Sequence, residues 1–365
     1  MTSGICSSLI PLYLGVLCIA FFTGCSSSIN LSALNTVDRQ PVKNSIIYLI
    51  HGDGSYLYYD TNNRAVTADE RILKQAQSVA EYLYSSEVFI FHIKIQRRFL
   101  GLIQRNDRDF YYYRHGKLIK QISYRAGSSD SIFQTETAVY GRLSAASAPN
   151  DTAKLLFFFY GHHIPEQTIS NYYSSHTGIS FGIEIFRQAL TGFLPHGRSE
   201  FDLIVLSTCS NGTPGTISAL SELSRYIIAS PENLHLSYID SSFLTVLEES
   251  EPTDIKRFAE NFTASAFDIL KRNTNTAITL SLYDTEATAS FLRRSAGSYS
   301  RVVSSANENL MRADYSDCNY SSRMDMDSSG TGVTVYFRPS LFGKTKNRTS
   351  HSGWGCPVME YQIVK

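Results

Sequence analysis

The sequence lacks several features that would place it in a specialised class. It has no net charge, because 33 lysines and arginines balance 33 aspartates and glutamates among 365 residues. A protein that binds nucleic acid needs a basic face, so this balance argues against nucleic acid as the main partner. There are only 10 prolines and 22 glycines, and charged residues make up only 18%. This composition excludes a collagen, a disordered chain and a coiled coil.

Metal and cofactor motifs are also missing. Six cysteines are too few for a disulfide scaffold in a chain of this length. No histidine and cysteine spacing is typical of a zinc site, and no glycine-rich loop has the spacing of a phosphate-binding P-loop. We therefore expect neither a metal nor a cofactor.

An apolar run near the N-terminus is the first feature that is present. It covers 14 residues from Leu9 to Phe22, whereas a membrane-spanning helix needs about 20. Such a run is typical of a secretion signal. It leads into Thr23-Gly24-Cys25 and three serines, which resembles a bacterial lipobox. We expect residues 1–24 to be removed and residues 25–43 to form a tether. Lipid on Cys25 would then hold the protein on a membrane of a bacterial envelope, at the cell surface or in the periplasm. An ordinary cleaved signal peptide and an N-terminal anchor remain alternatives.

The cysteines can then be sorted by their expected fate. Cys6 and Cys18 would leave with the signal. Cys318 and Cys356 lie in polar, loop-like sequence, and in an oxidising compartment we expect them to pair. Cys209 is then the odd thiol, and an odd thiol in an exported protein is a candidate reactive group.

Apolar runs of strand length alternate with helical patterns along the rest of the chain. Strands that are apolar throughout indicate a parallel sheet with helices on both faces. We therefore expect one α/β domain over residues 44–313 and a C-terminal extension over residues 314–365. The predicted strands are residues 45–50, 87–92, 109–114, 118–125, 154–160, 201–206, 234–238, 277–283 and 332–337. The predicted helices are residues 67–83, 135–147, 181–190, 216–229 and 255–271.

The candidate chemistry lies at the ends of two predicted strands. His162 follows the strand 154–160, and Cys209 follows the strand 201–206. Ligands of open α/β sheets bind at the carboxyl ends of the strands, so two neighbouring strands would bring the imidazole and the thiol into one crevice. The imidazole would take the thiol proton, and the thiolate would attack a carbonyl carbon. The alternatives are a buried structural cysteine and a turn histidine.

The same two blocks carry a family resemblance. The apolar strand with Gly161-His162 and the apolar strand with Cys209-Ser210-Asn211-Gly212 resemble the two signature blocks of caspase-like cysteine peptidases. That group includes legumain, gingipain and clostripain. Residues 226–232 (YIIASPE) are similar to the end of a helix in clostripain-type enzymes. Over residues 45–283 the chain therefore resembles a clostripain-like peptidase.

The resemblance implies a caspase-like α/β/α sandwich and an endopeptidase that cleaves a peptide or protein substrate. Cys209 would be the nucleophile and His162 the general acid and base. The backbone N–H groups of His163 and Cys209 would bind the oxyanion. Because His163 stands where the family has glycine, the choice between His162 and His163 as the base stays open. We expect a monomer.

Clostripain-like enzymes favour a basic residue before the scissile bond, which requires a carboxylate in the substrate pocket. Asp240 and Asp53 each follow a strand-like run and are candidates to pair with substrate Arg or Lys. The alternative for each is a capping or turn carboxylate.

Two other functions remain open. An α/β-hydrolase-like esterase is indicated by residues 51–54 (HGDG), but the sequence has no Gly-x-Ser-x-Gly elbow. A non-catalytic surface lipoprotein, with the peptidase fold as a binding module, is favoured by the replacement of the family glycine by His163.

Overall fold

The computed structural model describes thirteen stretches of the chain. They are residues 40–52, 57–59, 65–94, 98–99, 103–104, 107–125, 132–146, 153–170, 172, 180–234, 237–248, 254–293 and 332–355. Cys25, Asp53, Cys318 and Cys356 lie outside these residues, as does the predicted domain boundary at residue 314, so the statements about them stay predictions. Within the described stretches, no helix is long and apolar enough to cross a membrane.

A nine-stranded sheet forms the centre of the molecule. Its strands are β1 (Asn44–His51), β2 (Ser86–Ile93), β3 (Asp107–Arg114), β4 (Lys117–Arg125), β5 (Lys154–Tyr160), β6 (Phe201–Ser207), β7 (Ser224–Ala229), β8 (Ile278–Asp284) and β9 (Val333–Arg338). The helices are α1 (Ala68–Tyr82), α2 (Gln134–Ala146), α3 (Ile183–Thr191), α4 (Pro214–Leu220) and α5 (Ile255–Asn273), with a further helix over residues 285–293. Short 3₁₀ helices cover Ser242–Glu248 and Lys344–Asn347.

Five parallel strands form the middle of the sheet, in the order β2-β1-β5-β6-β7. At one side β3 and β4 continue the sheet in antiparallel fashion, and at the other side β8 and β9 do so. The β3–β4 hairpin turns at His115 and Gly116, whose φ angles of 49° and 72° suit a tight two-residue turn. The predicted fold class, a mostly parallel α/β sandwich, is confirmed, and the sheet is mixed at its edges.

The two faces of the sheet carry separate apolar clusters. Helices α2, α3 and α4 cover what we call the first face, and α1 and α5 cover the second face. Side chains alternate between the faces along a strand, so in β5 Phe157 and Phe159 lie on the first face, and Phe158 and Tyr160 lie on the second. Burial on both sides explains why the central strands are apolar throughout.

The predicted helix over residues 216–229 is wrong. Helix α4 ends at Leu220, and Ser224–Ala229 forms β7, which pairs with both β6 and β8. The apolar spacing of residues 217, 220, 223 and 227 is compatible with a helix, but the run Tyr226-Ile227-Ile228 has the composition of a buried strand. The block that resembles a helix end in clostripain-type enzymes is therefore the end of a strand.

The predicted strand over residues 234–238 is also wrong for its described residues, which lie outside any strand. Strand β7 already occupies the edge of β6, so this segment has no free strand to pair with. The residue that follows it, Ile239, is bonded to the ends of β5 and β6 instead. The backbone N–H of Ile239 donates to Ser207 Oγ (2.8 Å), and the Tyr160 hydroxyl donates to the Ile239 carbonyl (3.1 Å).

Candidate active site

His162 and Cys209 follow two neighbouring strands that are in register. The last pair of the β5–β6 ladder is Tyr160 with Ser207, so each candidate residue lies two positions beyond a paired residue. Tyr160 packs on the second face, and Ser207 Oγ accepts from Ile239 on that same face. Cys209 also packs against the cluster of the second face. The two strands are therefore neighbours, which is the condition for His162 and Cys209 to share one crevice.

The thiol of Cys209 is half-buried and lies in a polar setting. It donates to Asn233 Oδ1 at 3.1 Å, and its sulfur accepts from the backbone N–H of Leu234 at 3.4 Å. The sulfur of Cys209 is therefore hydrogen-bonded and partly exposed, although its side chain also packs against the second-face cluster.

The two adjacent histidines have different surroundings. The Tyr172 hydroxyl lies 2.6 Å from His163 Nδ1 and 2.8 Å from the His163 carbonyl oxygen, and the Tyr172 ring stacks on Phe181 of the first-face cluster. Burial, followed by the charge of neighbouring His162, lowers the pKa of His163 to about 4. At neutral pH the imidazole of His163 is therefore uncharged and is held by Tyr172. His162 is half-buried and is the second residue after the end of β5.

The chain turns sharply directly after Cys209. Ser210 has a φ of 53°, a left-handed conformation that costs a non-glycine residue roughly 1–2 kcal/mol. Its N–H donates to the Glu232 carbonyl (3.0 Å), and the N–H of Gly212 donates to the Ser230 carbonyl (2.9 Å). The segment after β7 therefore holds the turn that carries the thiol.

Glu232 links this turn to the C-terminal part of the chain. Its carboxylate is paired with Arg348, accepts from Thr279 Oγ1 at 2.7 Å and lies 3.5 Å from His351 Nε2. Burial raises the pKa of Glu232, but the hydrogen bonds and charges of His351, Thr279 and Arg348 outweigh burial and lower it to about 2.

This low pKa predicts how stability depends on pH. The ordinary pKa of 4.5 applies to the unfolded chain, so the stabilisation from Glu232 is fully present above pH 4.5 and is lost as the pH falls toward 2. Between pH 5 and pH 3 we expect this group to cost about 2 kcal/mol of unfolding free energy. Urea denaturation at several pH values measures the change. In Glu232→Gln the fall should be smaller by that amount, and an equal fall in both proteins would contradict the assignment.

Asp240 lies on the second face but has local partners. Its Oδ1 accepts from the backbone N–H of Ser242 at 2.8 Å, at the start of the 3₁₀ helix, and its Oδ2 accepts from Gln75 of α1. The carboxylate therefore caps a turn, which is the alternative considered for it. Its neighbour Ile239 crosses the ends of β5 and β6, so Asp240 is close to the candidate site as well.

Several residues of this region were not predicted from the sequence. Asn233 contacts the thiol, and Asn211 joins the loops after β5 and β6. Trp354 packs against Tyr283 and Phe291, with ring centroids 4.8 and 5.1 Å apart. Trp354 is the only tryptophan and is flanked by two glycines, which is a usable signal for a buried anchor. The two asparagines follow no pattern that marks them.

In the described stretches, no group of three His, Cys, Asp or Glu residues could hold a metal ion.

Comparison with known proteins gives matches among solved structures alone, because no family model and no curated protein matches the chain. A secreted C11 cysteine protease from Bacteroides thetaiotaomicron, "iotapain", is 12% identical over 68% of this chain and 67% of its own, with a TM-score of 0.45. A secreted C11 protease from that organism with an irreversible peptide inhibitor is 14% identical over 72% and 71%, with a TM-score of 0.47. An inactive zymogen C11 protease from Parabacteroides distasonis is 15% identical over 72% and 66%, with a TM-score of 0.46. All three are clostripain-like cysteine proteases, the group that the two sequence blocks resemble.

Proposed function

We propose that the protein is a cysteine endopeptidase in which Cys209 is the nucleophile and His162 is the general acid and base. The register of β5 and β6 carries this proposal. Tyr160 pairs with Ser207, and each candidate lies two residues further along its strand. This register supports a shared crevice, which a thiol and an imidazole need in order to exchange a proton.

The chemistry follows from these positions. A ring nitrogen of His162 takes the thiol proton, and the thiolate forms a bond to the peptide carbonyl carbon. The oxyanion accepts hydrogen bonds from the backbone N–H groups of Cys209 and His163. The C–N bond then breaks, and His162 returns the proton to the leaving amine. Water, deprotonated by His162, hydrolyses the thioester and restores the thiol.

The proposal is tested with a thiol-directed peptide inhibitor that carries Arg or Lys at its reactive end. We expect the full-length protein to be labelled once, at Cys209, as read by peptide mass. Labelling should be lost in Cys209→Ala and kept in the matched control Cys318→Ala. Equal labelling of the Cys209→Ala protein would refute the nucleophile.

The two histidines are separated by a second pair of variants. His162→Ala should lower kcat/KM by roughly 10²–10⁴-fold, the usual contribution of a general acid and base. His163→Ala should lower it by less than about 10-fold, because the uncharged His163 ring is engaged with Tyr172 and contributes a backbone group. Kinetics on a fluorogenic peptide measure both, and the reverse ranking would exchange the roles.

Specificity for Arg or Lys before the scissile bond is a separate part of the proposal. Asp240 is the candidate for this role that lies within the described residues. Its place beside Ile239 supports a role near the substrate, and its bond to Ser242 supports a capping role. Asp240→Asn distinguishes the two. A loss of kcat/KM for an Arg substrate but not for its Gln analogue supports recognition. An equal loss for both substrates means that Asp240 only caps the turn. Asp53 is the second candidate.

Export and anchoring are also proposed, because the apolar run from Leu9 to Phe22 leads into Thr23-Gly24-Cys25. Lipid on Cys25 would hold the enzyme at the bacterial cell envelope. Incorporation of labelled palmitate by the wild-type protein and its loss in Cys25→Ser test this. Incorporation that persists in Cys25→Ser would place the lipid elsewhere.

The non-catalytic binding module is the second candidate function, and it rests on His163. The bulk of this side chain would disfavour catalysis if the ring filled the crevice. The ring instead contacts Tyr172, which packs against the first-face cluster, whereas Cys209 packs against the second. This arrangement favours the enzyme.

A further inference from the structure

The side chain of Asn211 is buried and joins the loops after β5 and β6, as does the hydrogen bond of Thr213 with Glu166. We propose that Asn211 is a positioning residue that sets the separation of His162 and Cys209. The inference rests on the proposed function and adds to it the residue that brings the two reacting groups together.

The hydrogen bonds of Asn211 carry this inference. The residue is 1% exposed. Its Oδ1 accepts from the backbone N–H of Ile164 at 2.8 Å, and its Nδ2 donates to the backbone carbonyl of Ile164, also at 2.8 Å. Oδ1 also accepts from Thr208 Oγ1 at 2.7 Å, and Nδ2 lies 3.5 Å from Thr216 Oγ1. One amide thus pairs with both polar backbone groups of a single residue on the other loop.

The two bonded residues occupy equivalent places. Asn211 lies two residues after Cys209, and Ile164 lies two residues after His162. The β5–β6 ladder ends at Tyr160 and Ser207, so the candidate residues lie between the last ladder pair and the asparagine link. The amide extends the pairing of the two strands past the point where their backbones stop pairing. Each loop is therefore fixed on both sides of its reacting residue.

The chemistry of an asparagine side chain suits this position. The amide presents an acceptor and a donor together, which matches the N–H and C=O of Ile164. Ile164 is 1% exposed, so removal of the amide leaves two buried backbone groups without partners unless the loops move apart and admit water. Aspartate keeps the shape and the accepting oxygen but loses the donor when it is ionised.

The test compares Asn211→Ala and Asn211→Asp with a matched control, Asn44→Ala, in the full chain. Asn44 is also buried, at 2%, and its Nδ2 joins β1 to β2 through Ser86 Oγ (3.0 Å) at the opposite end of the sheet. If Asn211 only stabilises the fold, its replacement should affect Cys209 no more than the replacement of Asn44 does.

The readout is the rate of alkylation of Cys209 by iodoacetamide as a function of pH, resolved by peptide mass. In the wild-type protein the midpoint should lie below about 8.5, the usual value for a thiol, because His162 shares the proton. His162→Ala should move the midpoint up toward about 8.5. The Asn211 variants should move it in the same direction, and Asn44→Ala should leave it in place. Peptide hydrolysis should show kcat lowered by about 100-fold, the effect of a misplacement near 1 Å, with KM little changed.

A cooperative unfolding transition shows that a variant is folded. If Asn211→Ala does not fold, the alkylation midpoint and the kcat of Asn211→Asp test the inference. A folded Asn211 variant with the wild-type midpoint and the wild-type kcat would overturn the inference while the peptidase stands. If no peptide is cleaved but the midpoint still depends on both His162 and Asn211, the proposed function fails and the positioning role stands.

Discussion

Replacement of Cys209 by alanine should abolish peptide hydrolysis, with kcat/KM lowered by at least about 10³-fold. The residual rate would come from binding and from the backbone N–H groups alone, as for other nucleophile knockouts. Because the thiol of Cys209 is half-buried and its hydrogen bonds with Asn233 and Leu234 are long or weak, its removal should leave the fold intact. Hydrolysis of a fluorogenic peptide and urea denaturation measure the two effects separately.

The double variant makes this result more specific. Nucleophile and base act as a unit, so Cys209→Ala with His162→Ala should be no less active than Cys209→Ala alone. Multiplied losses would mean that the two groups contribute independently and that no proton passes between them. Full activity in Cys209→Ala would eliminate the cysteine mechanism.

Trp354→Ala should produce the largest loss of stability, about 3–5 kcal/mol, the usual cost of truncating a buried tryptophan. Trp354 is 1% exposed and packs against Tyr283 and Phe291. Its neighbours also hold the turn after Cys209, because the carbonyl of Gly212 accepts from the N–H of Gly355 (2.8 Å) and from the hydroxyl of Tyr283 (3.2 Å). The variant should therefore lose activity as well, beyond the fraction that unfolds.

The same C-terminal segment supplies the control. Leu341 and Phe342 are 64% and 61% exposed, so Leu341→Ala and Phe342→Ala should change the unfolding free energy by less than about 0.5 kcal/mol. Urea denaturation of the three variants gives the comparison. A loss in Trp354→Ala no larger than in these controls would show that the segment is not anchored in the core. Gly355→Ala is a second test of whether the segment is anchored in the core. An added Cβ at this position would overlap the carbonyl oxygen of Pro231.

The mistaken helix over residues 216–229 shows where periodicity stops being informative. A spacing of three and four residues continues through residues 217, 220, 223 and 227, but the last of these belongs to a strand between two others. Side chains of a fully buried strand are apolar on both faces, so the run loses the two-residue alternation that would identify it. Residues 224–229 form a strand rather than a helix because they pair with the otherwise unpaired edge of β6.

In the candidate site too, some residues are marked by a local sequence pattern and others are not. Gly161-His162 and Cys209 are recognisable because each follows an apolar run of strand length, and buried parallel strands produce such runs. Asn211 and Asn233 look like ordinary loop residues, because their partners Ile164 and Cys209 lie far away along the chain. A hydrogen bond between distant segments leaves no local pattern in a single sequence.

The sequence alone determined the α/β class and the two strand ends that carry the candidate residues His162 and Cys209. These depend on local burial, which repeats along the chain and can be read from it. Only the tertiary structure decided that β5 and β6 are neighbours in register, that His163 contacts Tyr172, and that the segment around Trp354 returns to the turn after Cys209. Those outcomes depend on which distant surfaces pack together, and that choice is made by the whole core rather than by any one segment.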